Sequence, residues 1–529
     1  MTQFVDGLTV GIDLGTSTSA IASMAEDGRP VIIPNSDGEP ITPSVIVLND
    51  NGEVVVGPHG DWIQSVNPDR VVVGIKRQMG NPDYVKVIDG QSLGAEFFSA
   101  LILMKLKQDA ETRLGGPVTN AVITVPYYFN DPCRRATLNA GQIAGLNVID
   151  LLNEPTAATL AYAWQQGDLG KLMSGESERE KTILVYDLGG GTFDVTVVRY
   201  SALQFRVLAT DGDTFLGGLD WTRRLVNHVA EQFRLNYRLD PRDDPRSRLA
   251  LTDECDEVKR ALSDHPQAAL QFAYKDKLVK PVITRAEFER LTADLLQRTR
   301  DTTEFVLDGV GVDPKALDEV LLIGGSTYMT GVSAMLEKLC GRTPVRILDP
   351  QLAVAQGAAI HAGILQAKET GRVFGQSKAV VSRLQSVDAV DVNSHSLGIE
   401  ITPPGDRTKK LNHVMIPRNT PLPCEFKQRF VTNTPNPAGI LVRLLEGETK
   451  EVDGCTFIGD FRITGLPSNL PVGSPVELTY RYDETRRITV VAKELTGGRE
   501  ASCQIHWSSN AETASVDQMQ NLVNSFHFD

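Results

Sequence analysis

A strand, a glycine turn and a second strand occur twice in this chain, and this duplication constrains the fold more than any other feature. The copies read GIDLGTSTS at residues 11–19 and YDLGGGTFD at residues 186–194. In each copy an apolar run is followed by an aspartate, Asp13 or Asp187, and then by glycines. Glycine is needed there because the main chain must come close to a polyphosphate. One such turn alone is more often an ordinary hairpin. Two copies predict duplicated halves that face a single nucleotide across a cleft.

The residues around these turns suit a metal nucleotide. The turn N–H groups and the hydroxyls of Thr16, Ser17 and Thr192 can donate to phosphate oxygens, and the two aspartates suit hydrated Mg²⁺. A third glycine element, IGGST at residues 323–327, would let a flat base or ribose lie against the backbone. Alone it could be a strand-to-helix turn with no ligand. Behind the first two turns it indicates the adenosine side of the cleft.

Composition limits the class of protein. At 529 residues the chain should form two or three domains. Lys and Arg number 53 against 67 Asp and Glu, giving a net charge of −14, and no block rich in Lys or Arg favours nucleic acid or an anionic membrane as a partner. The six cysteines show no CxxC pair, and the sequence has no signal peptide or membrane-spanning pattern. We expect a protein of the reducing cytoplasm.

Apolar strands alternate with helical patterns from Thr9 to about Gln366, which predicts an α/β architecture. Thr284 and Glu287 resemble a capping box at the start of a helix. Residues 170–181 and 240–248 are polar and are predicted to be exposed loops. Helices are predicted at residues 95–112, 132–144, 156–166, 220–237, 252–263, 284–307 and 353–367.

The pattern changes after residue 390. Short alternating runs separated by Gly, Pro and Asn turns predict an antiparallel β-sandwich. Residues 374–391 are mixed and weakly apolar, so a linker is expected there, and residues 508–529 are polar with at most one short helix. The predicted strands cover residues 439–445, 456–463, 475–482 and 487–492.

Further motifs extend along the chain, among them VPYYFND, AGQIAGLNV and NEPTAATLAY within residues 125–162, then TFLGGLDW, ITRAEFE, AVAQGAA and HSLGIEI. With the glycine turns, and in this order, they make the chain resemble the seventy-kilodalton heat-shock chaperones of the DnaK type up to about residue 507. The resemblance implies an α/β actin-like two-lobed ATPase domain over residues 1–380 and an interdomain linker over 381–392. It further implies an antiparallel β-sandwich over 393–507 that binds extended apolar peptides, and a short polar tail over 508–529 with no helical lid.

The resemblance implies ATP or ADP, Mg²⁺ and K⁺ as cofactors. Lys76 would align the attacking water and offset charge on the γ-phosphate, although without the resemblance a solvated surface lysine would be favoured. Glu154 could equally be a charge at a helix N-terminus ahead of Pro155. The implied catalytic residues are Lys76, Glu154, Asp187, Thr192 and Asp194, and the implied metal-binding residues are Asp13, Asp187 and Asp194.

Two of the implied nucleotide contacts depart from the family. Asp256 replaces a glutamate, and Tyr328 replaces an arginine that stacks on adenine, so a cation–π contribution of about 1 kcal/mol is expected to be lost. Arg260 could cover the other face of the base. The implied set is Asp13, Gly15, Thr16, Ser17, Gly189, Gly190, Gly191, Thr192, Gly217, Gly218, Asp256, Lys259, Arg260, Ser263, Gly324, Gly325, Ser326 and Tyr328.

Other departures bear on the chaperone cycle. The family's linker is a run of leucines or valines that docks on the ATPase domain, whereas Asp388 and Ala389 remove apolar area worth roughly 1.5 to 3 kcal/mol per large side chain. We therefore expect weak coupling between nucleotide and peptide. Asp150 replaces the arginine that pairs with a J-domain co-chaperone, and this charge reversal penalises the usual partner. A nucleotide exchange factor is the other partner that the resemblance implies.

Five apolar positions match the family's peptide pocket. At alternating strand spacing each one alone is better explained as sandwich core. The arch over the peptide matches Thr402 and Asn433 in place of the usual Met and Ala types, so a different peptide preference is expected. The five positions are Ile399, Phe430, Ile440, Val442 and Leu466.

These observations favour an ATP-hydrolysing chaperone that binds extended apolar segments of unfolded proteins. One alternative is an ATP-regulated scaffold or regulatory protein of the same fold, favoured by the polar linker and Asp150. Another is a small-molecule kinase on the shared ATPase fold, disfavoured by the β-sandwich and by the motif match along the chain.

Overall fold

A computed structural model of the chain describes residues 4–50, 52–58, 67–168, 180–201, 204–346, 349–373, 375–390, 392–403, 408–434, 439–467, 470–483, 488–505, 513–525 and 527–528. The helices in these ranges are α1 (Ala95–Leu114), α2 (Asp131–Ile143), α3 (Glu154–Gln165), α4 (Gly218–Tyr237), α5 (Pro245–Asp264), α6 (Arg285–Gly309), α7 (Thr330–Cys340), α8 (Ala353–Thr370), α9 (Lys378–Gln385) and α10 (Thr513–Ser525).

The strands of the first 300 residues are β1 (Leu8–Asp13), β2 (Thr18–Met24), β3 (Pro30–Ile32), β4 (Thr42–Pro43), β5 (Val45–Leu48), β6 (Glu53–Val56), β7 (Val71–Val73), β8 (Lys86–Ile88), β9 (Gln91–Leu93), β10 (Val118–Val125), β11 (Asn147–Asn153), β12 (Lys181–Leu188), β13 (Phe193–Tyr200), β14 (Gln204–Asp213), β15 (Gln267–Ala269), β16 (Phe272–Tyr274), β17 (Lys277–Val279) and β18 (Val282–Thr284). The later strands are β19 (Glu319–Ile323), β20 (Asp388–Val390), β21 (Leu397–Ile401), β22 (Leu411–Ile416), β23 (Cys424–Val431), β24 (Ile440–Glu446), β25 (Thr456–Ile463), β26 (Pro475–Tyr482), β27 (Ile488–Glu494), β28 (Glu500–Ile505) and β29 (His527–Phe528).

Two mixed sheets carry the two glycine turns. The first has the order β11-β10-β1-β2-β3, and the second has the order β19-β12-β13-β14-β20. In both sheets the strand that carries the predicted aspartate is an interior strand, parallel to one neighbour and antiparallel to the other. Both faces of these strands are buried, which explains their continuous apolar runs.

Helices α3 and α8 pack closely between the sheets. A Cβ at Gly357 of α8 would lie 1.8 Å from the carbonyl oxygen of Ala157 in α3, so the closest approach of the two helices requires glycine. Side chains of both helices share one apolar core with the second sheet, including Leu160, Ile183 and Ile360. The two sheets are thereby joined behind the turns that they carry.

Two antiparallel sheets follow in the last third of the chain. Their orders are β22-β21-β24-β25 and β23-β26-β27-β28. Inward-facing residues of both sheets, among them Leu444, Leu478 and Val490, form one apolar core. Every second residue of these strands contributes to that core, as the alternation in the sequence predicts.

The predicted loop at residues 240–248 is wrong. A short 3₁₀ turn covers Pro241–Asp243, and α5 begins at Pro245, where the side chain of Asp244 accepts a hydrogen bond from the N–H of Ser247 at 2.8 Å. Proline at the first helical position after an aspartate N-cap is a helix start signal, which the polar composition obscured. The other loop predicted, at residues 170–181, lies mostly outside the described residues.

The linker is more ordered than its composition indicates. Helix α9 crosses the predicted boundary at residue 380 and buries Val381 and Leu384. Strand β20 then joins the second sheet in parallel with β14, through main-chain hydrogen bonds. The hydroxyl of Tyr127 donates to the carbonyl oxygen of Val392 at 2.6 Å. Main-chain hydrogen bonds therefore stabilise the docking of this segment, in addition to any burial of apolar side chains.

The last described helix packs against the N-terminal half of the chain. Helix α10 lies on α1 and α2, and its Val516 and Val523 are buried in the core of the first sheet. Strand β29 then extends the sheet of β5, β6 and β7 by pairing in parallel with β6. The polar segment expected at residues 508–529 thus contains the one short helix that the sequence allowed.

The sandwich lies directly against α2. The N–H of Asp131 donates to a carboxylate oxygen of Glu446 at 2.9 Å, at the N-terminus of α2. One helical turn later, the Arg135 guanidinium donates to the carbonyl oxygen of Ile458 at 3.2 Å. A carboxylate at a helix N-terminus is favoured by the helix dipole. These contacts hold the sandwich against the N-terminal half of the chain.

Candidate functional site

The two predicted glycine turns lie against each other. A Cβ at Gly190 would lie 2.0 Å from the Oγ of Ser17, and a Cβ at Gly191 would lie 2.4 Å from the side chain of Thr16. The second turn therefore needs glycine where it meets the first. The turns line one cleft, in which their N–H groups and hydroxyls are available to a polyphosphate.

The third glycine element closes the same cleft. Ser326 donates to the carbonyl oxygen of Gly189 at 2.8 Å, and the N–H of Gly218, the first residue of α4, donates to the same oxygen at 3.0 Å. Gly217 caps α4 in extended conformation. The predicted residues that line the cleft are Asp13, Gly15, Thr16, Ser17, Lys76, Glu154, Asp187, Gly189, Gly190, Thr192, Gly324 and Gly325.

Three buried carboxylates, Glu154, Asp187 and Asp194, and the partly buried Asp13 surround Lys76. Burial is the main cause that raises the pKa of Asp13 to about 7 and of Asp194 to about 8, and the charge of Glu154 adds to both. Burial and the same charge hold the pKa of Asp187 well above its ordinary value. Burial alone would lower the pKa of Lys76, but its ion pair with Glu154 and the charge of Asp13 raise it overall.

Such a concentration of negative charge suits a cation held through water. Among the described residues, no group of three or more His, Cys, Asp or Glu side chains is arranged as a metal site. Asp194 lies beside the backbone groups of Tyr127 and Tyr128, which lower its pKa less than burial raises it, and Asp13 accepts a hydrogen bond from Thr124 at 3.2 Å. Carboxylate oxygens can accept hydrogen bonds from the waters of hydrated Mg²⁺, which dehydrates reluctantly.

The predicted adenosine contacts form a network on α5 rather than lining the cleft. Lys259 pairs with Asp256 and donates to the hydroxyl of Thr222 at 2.9 Å, and Arg260 donates to Asp256 at 2.8 Å. Burial opposes ionisation of Asp256, but the two cations lower its pKa to about 2. Ser263, one turn on, lies beside a small cavity that Lys259 also lines.

Tyr328 has a cationic neighbour that the sequence argument missed. The Arg346 guanidinium lies over the Tyr328 ring, 5.3 Å from its centroid, and the Tyr328 hydroxyl donates to Asp349 at 3.3 Å. A cation therefore lies beside position 328, although the residue at that position is tyrosine. Sequence distance hid this contact, because no motif links the two positions.

Other cleft residues were also missed. Arg77 follows Lys76 in a 3₁₀ turn, and it donates to the carbonyl oxygen of Gly191 at 2.8 Å and to Asp220 at 2.5 Å. It ties the Lys76 segment to the second glycine turn. The position of Arg77, directly after the predicted catalytic lysine, is the one sequence feature that could have indicated a role for it in the cleft. The cleft is further lined by Thr18, Ile323, Pro350, Gln351 and Val354.

The five predicted peptide-pocket residues divide into two groups. Ile399 and Val442 are buried members of the sandwich core, as the alternative interpretation anticipated. Phe430, Ile440 and Leu466 pack against that core and remain partly exposed. Those three are the members that a peptide could reach without a rearrangement of the core.

Asp150 is engaged within the molecule. Its carboxylate lies 2.8 Å from the Nε2 of His361 on α8. A side chain held in this way is less available to an incoming partner than a free one would be. A partner that binds at Asp150 would therefore have to break this contact with His361, in addition to the unfavourable charge of Asp150.

Comparisons with known proteins agree with the geometry. A family model described as Hsp70 protein matches residues 9–88 and 82–528. Two proteins named chaperone protein DnaK, from Halobacterium salinarum strains R1 and NRC-1, are each 36% identical over 518 residues, covering 97% of this chain and 77% of theirs. The protein of that name from Thermotoga petrophila is 36% identical over 522 residues, covering 97% and 82%. Within the described residues, no helix has the length and apolarity needed to span a membrane.

Proposed function

The chain belongs to the Hsp70 protein family and is an ATP-dependent molecular chaperone with ATPase activity, and we propose that it hydrolyses ATP between the two glycine turns. The contact between these turns, around Lys76 and the buried carboxylates, is the observation that carries the proposal. For the domain architecture, we propose an actin-like two-lobed ATPase domain followed by a β-sandwich that binds peptide.

Each residue of the cleft has a distinct task in this proposal. Thr16, Ser17 and Thr192 orient the phosphates, with the turn N–H groups. Lys76 leaves Glu154 to offset the charge that develops on the transferred phosphoryl group. Bound Mg²⁺ would neutralise phosphate charge, and Asp13, Asp187 and Asp194 would hold it through water. K⁺ is proposed as a second ion on the same oxygen-rich side.

The nucleotide base lies, in this proposal, between the third glycine element and α5. The pair of Tyr328 and Arg346 offers a flat cationic surface for one face of the base, and Arg260, which is largely exposed and paired with Asp256, would cover the other. Asp256 and Lys259 hold the start of α4 through Thr222. These contacts would position the ribose.

We further propose that the sandwich binds extended apolar peptides of unfolded proteins at Phe430, Ile440 and Leu466. These three side chains are apolar and partly exposed, which supports an apolar ligand. A reducing compartment such as the cytoplasm is proposed, since the five cysteines whose side chains are described are free thiols. A J-domain protein and an exchange factor remain proposed partners, the former weakened by the pairing of Asp150 with His361.

ATP turnover with and without a panel of apolar peptides tests this function. Ile440→Asp places a charge among the proposed peptide contacts, and Leu441→Asp, on the opposite face of the same strand, is the matched control. Stimulation that is lost in Ile440→Asp and kept in Leu441→Asp is the expected result. Turnover that no peptide stimulates would favour the ATP-regulated scaffold, and turnover that requires a small acceptor would favour a kinase.

A further inference from the structure

Arg77 joins the two sides of the nucleotide cleft, each of which carries one of the first two glycine turns. Its neighbours Ile75 and Met79 are buried in the apolar core of the first sheet. Its guanidinium, however, contacts the second side. Nε donates to the carbonyl oxygen of Gly191, and a terminal nitrogen donates to the Asp220 carboxylate of α4. A guanidinium holds two acceptors in one fixed geometry, which an ammonium group cannot do.

The ion pair between Arg77 and Asp220 is shielded from water. The Arg77 side chain is 15% exposed and the Asp220 side chain is 4% exposed. The Asp220 oxygen that binds Arg77 also accepts a hydrogen bond from the N–H of Gly217 at 2.9 Å, and the next residue, Trp221, is buried in the core of the second sheet. The carboxylate is therefore fixed on the second side, and a buried pair is screened by salt much less than a surface pair.

Arg77 also orients the last peptide group of the second glycine turn. The two preceding carbonyl oxygens of this turn accept hydrogen bonds from N–H groups at the start of α4, at 3.0 and 2.8 Å. The carbonyl oxygen of Gly191 has the Nε of Arg77 as its donor, at 2.8 Å. Because a peptide bond is planar and trans, the N–H of Thr192 points to the side opposite this carbonyl oxygen. Arg77 thus sets the direction of a main-chain donor at a predicted phosphate contact.

We infer that Arg77 is a positioning residue for the phosphates of a bound nucleotide, an inference that rests on the proposed ATP site. By joining the two sides, it holds the second glycine turn in a fixed position relative to Lys76 and the first turn. Phosphates between the turns then meet donors from both sides without a cost of bringing these donors together.

The nucleoside does not depend on this bridge. Helix α5 and Met329, which follows Tyr328, contribute buried side chains to the core of the second sheet, so the proposed adenosine contacts lie on the second side alone. Arg77 therefore strengthens the binding of ADP, whose phosphates reach both turns, and leaves the binding of adenosine unchanged. This difference separates a positioning role from a general role in the fold.

Calorimetric titration of the full chain with ADP and with adenosine, both in the presence of Mg²⁺, tests this inference. The measured quantity is the ratio of the dissociation constant of adenosine to that of ADP. Arg77→Gln should lower this ratio at least tenfold and leave the constant for adenosine within twofold of its value in the unsubstituted protein. Arg77→Lys should lower the ratio less, because its ammonium group keeps a positive charge beside Asp220 but cannot hold both acceptors.

Arg223→Gln is the matched control. Arg223 donates to the other oxygen of Asp220 at 2.9 Å, but it lies on the same helix and is largely exposed. Its replacement removes a cation from the same carboxylate without breaking the bridge, so the ratio should stay within twofold. Asp220→Asn breaks the bridge from the second side and keeps an oxygen for the N–H of Gly217, and it should lower the ratio at least fivefold. This variant decides the matter if Arg77→Gln does not fold.

Three results would overturn the inference. One is an unchanged ratio in Arg77→Gln. Another is equal weakening of ADP and adenosine in that variant, which would mean that Arg77 only supports the fold. The third is a loss in Arg223→Gln as large as that in Arg77→Gln, which would assign the effect to charge beside Asp220 and not to the bridge. A different failure, in which the unsubstituted protein binds ADP no more tightly than adenosine, would refute the proposed ATP site itself.

Discussion

Replacement of Asp194 by asparagine should stabilise the nucleotide-free protein while it abolishes ATP hydrolysis. The side chain is 1% exposed, and the backbone groups of Tyr127 and Tyr128 beside its carboxylate stabilise the charge less than burial opposes it. Burial, with the charge of Glu154, raises its pKa from 3.8 to about 8. Asparagine has nearly the same shape and carries no charge, so it avoids the cost of burying a carboxylate.

The size of the effect depends on pH, and its sign follows from the raised pKa. Below about pH 4 the carboxyl group is protonated in the folded and unfolded states, so it costs nothing. As the pH rises to 8 the folded state must keep a proton that the unfolded state has lost. At about 1.4 kcal/mol per pKa unit, the cost is about 3 kcal/mol at pH 6 and at most about 6 kcal/mol above pH 8.

Urea unfolding in EDTA without nucleotide, at a series of pH values, measures this difference. Asp194→Asn should unfold at a higher urea concentration than the unsubstituted protein, by a margin that grows from pH 5 to pH 8. Asp308→Asn, at an exposed position on α6, is the matched control and should show no such trend. A margin that is zero at pH 8, or that does not change with pH, would refute the assignment of Asp194 as a destabilising buried carboxylate.

Further predictions concern the cleft and the linker. Lys76→Ala should abolish single-turnover hydrolysis and leave nucleotide binding measurable by calorimetry; unchanged hydrolysis would contradict its role. Arg346→Leu should weaken ATP binding about two- to fivefold through loss of the cation over Tyr328, and equal affinity would mean that this pair does not contact the base. ATP should change peptide affinity less than about threefold, and leucine at Asp388 and Ala389 should increase the change; a tenfold change measured by fluorescence anisotropy in the unsubstituted protein would show that main-chain pairing of β20 is enough for coupling.

Local patterns predicted the parts of the site that depend on local geometry. The glycine turns, the strands that enter them and the helices at residues 95–112 and 220–237 follow from periodicity and turn chemistry, and the structure places them within a few residues. The family resemblance was confirmed by the comparisons. Residue roles in the cleft stay predictions, since placement of a side chain does not show what it binds.

Contacts between distant segments could not be predicted in the same way. Arg346 over Tyr328 and Asp150 beside His361 depend on how helices and loops pack, and no spacing rule connects them. The linker was judged from its side chains, whereas its pairing with β14 uses main-chain groups that every residue except proline carries. The start of α5 at Pro245 was hidden because the same residues that end helices can also begin them.

The pairing of β29 with β6 also bears on the order in which the chain can fold. His527 lies beside Glu53, so the sheet of β5, β6 and β7 receives its outer strand from residues made almost a full chain length later. During synthesis the edge of β6 therefore stays unpaired and exposed until residues 527–528 have been made, while the second sheet and the sandwich can already form their own apolar cores. Contacts of such long sequence separation form late, because the loop that they close is large. The sheet of β5, β6 and β7 is therefore among the first parts to be translated and the last to be completed.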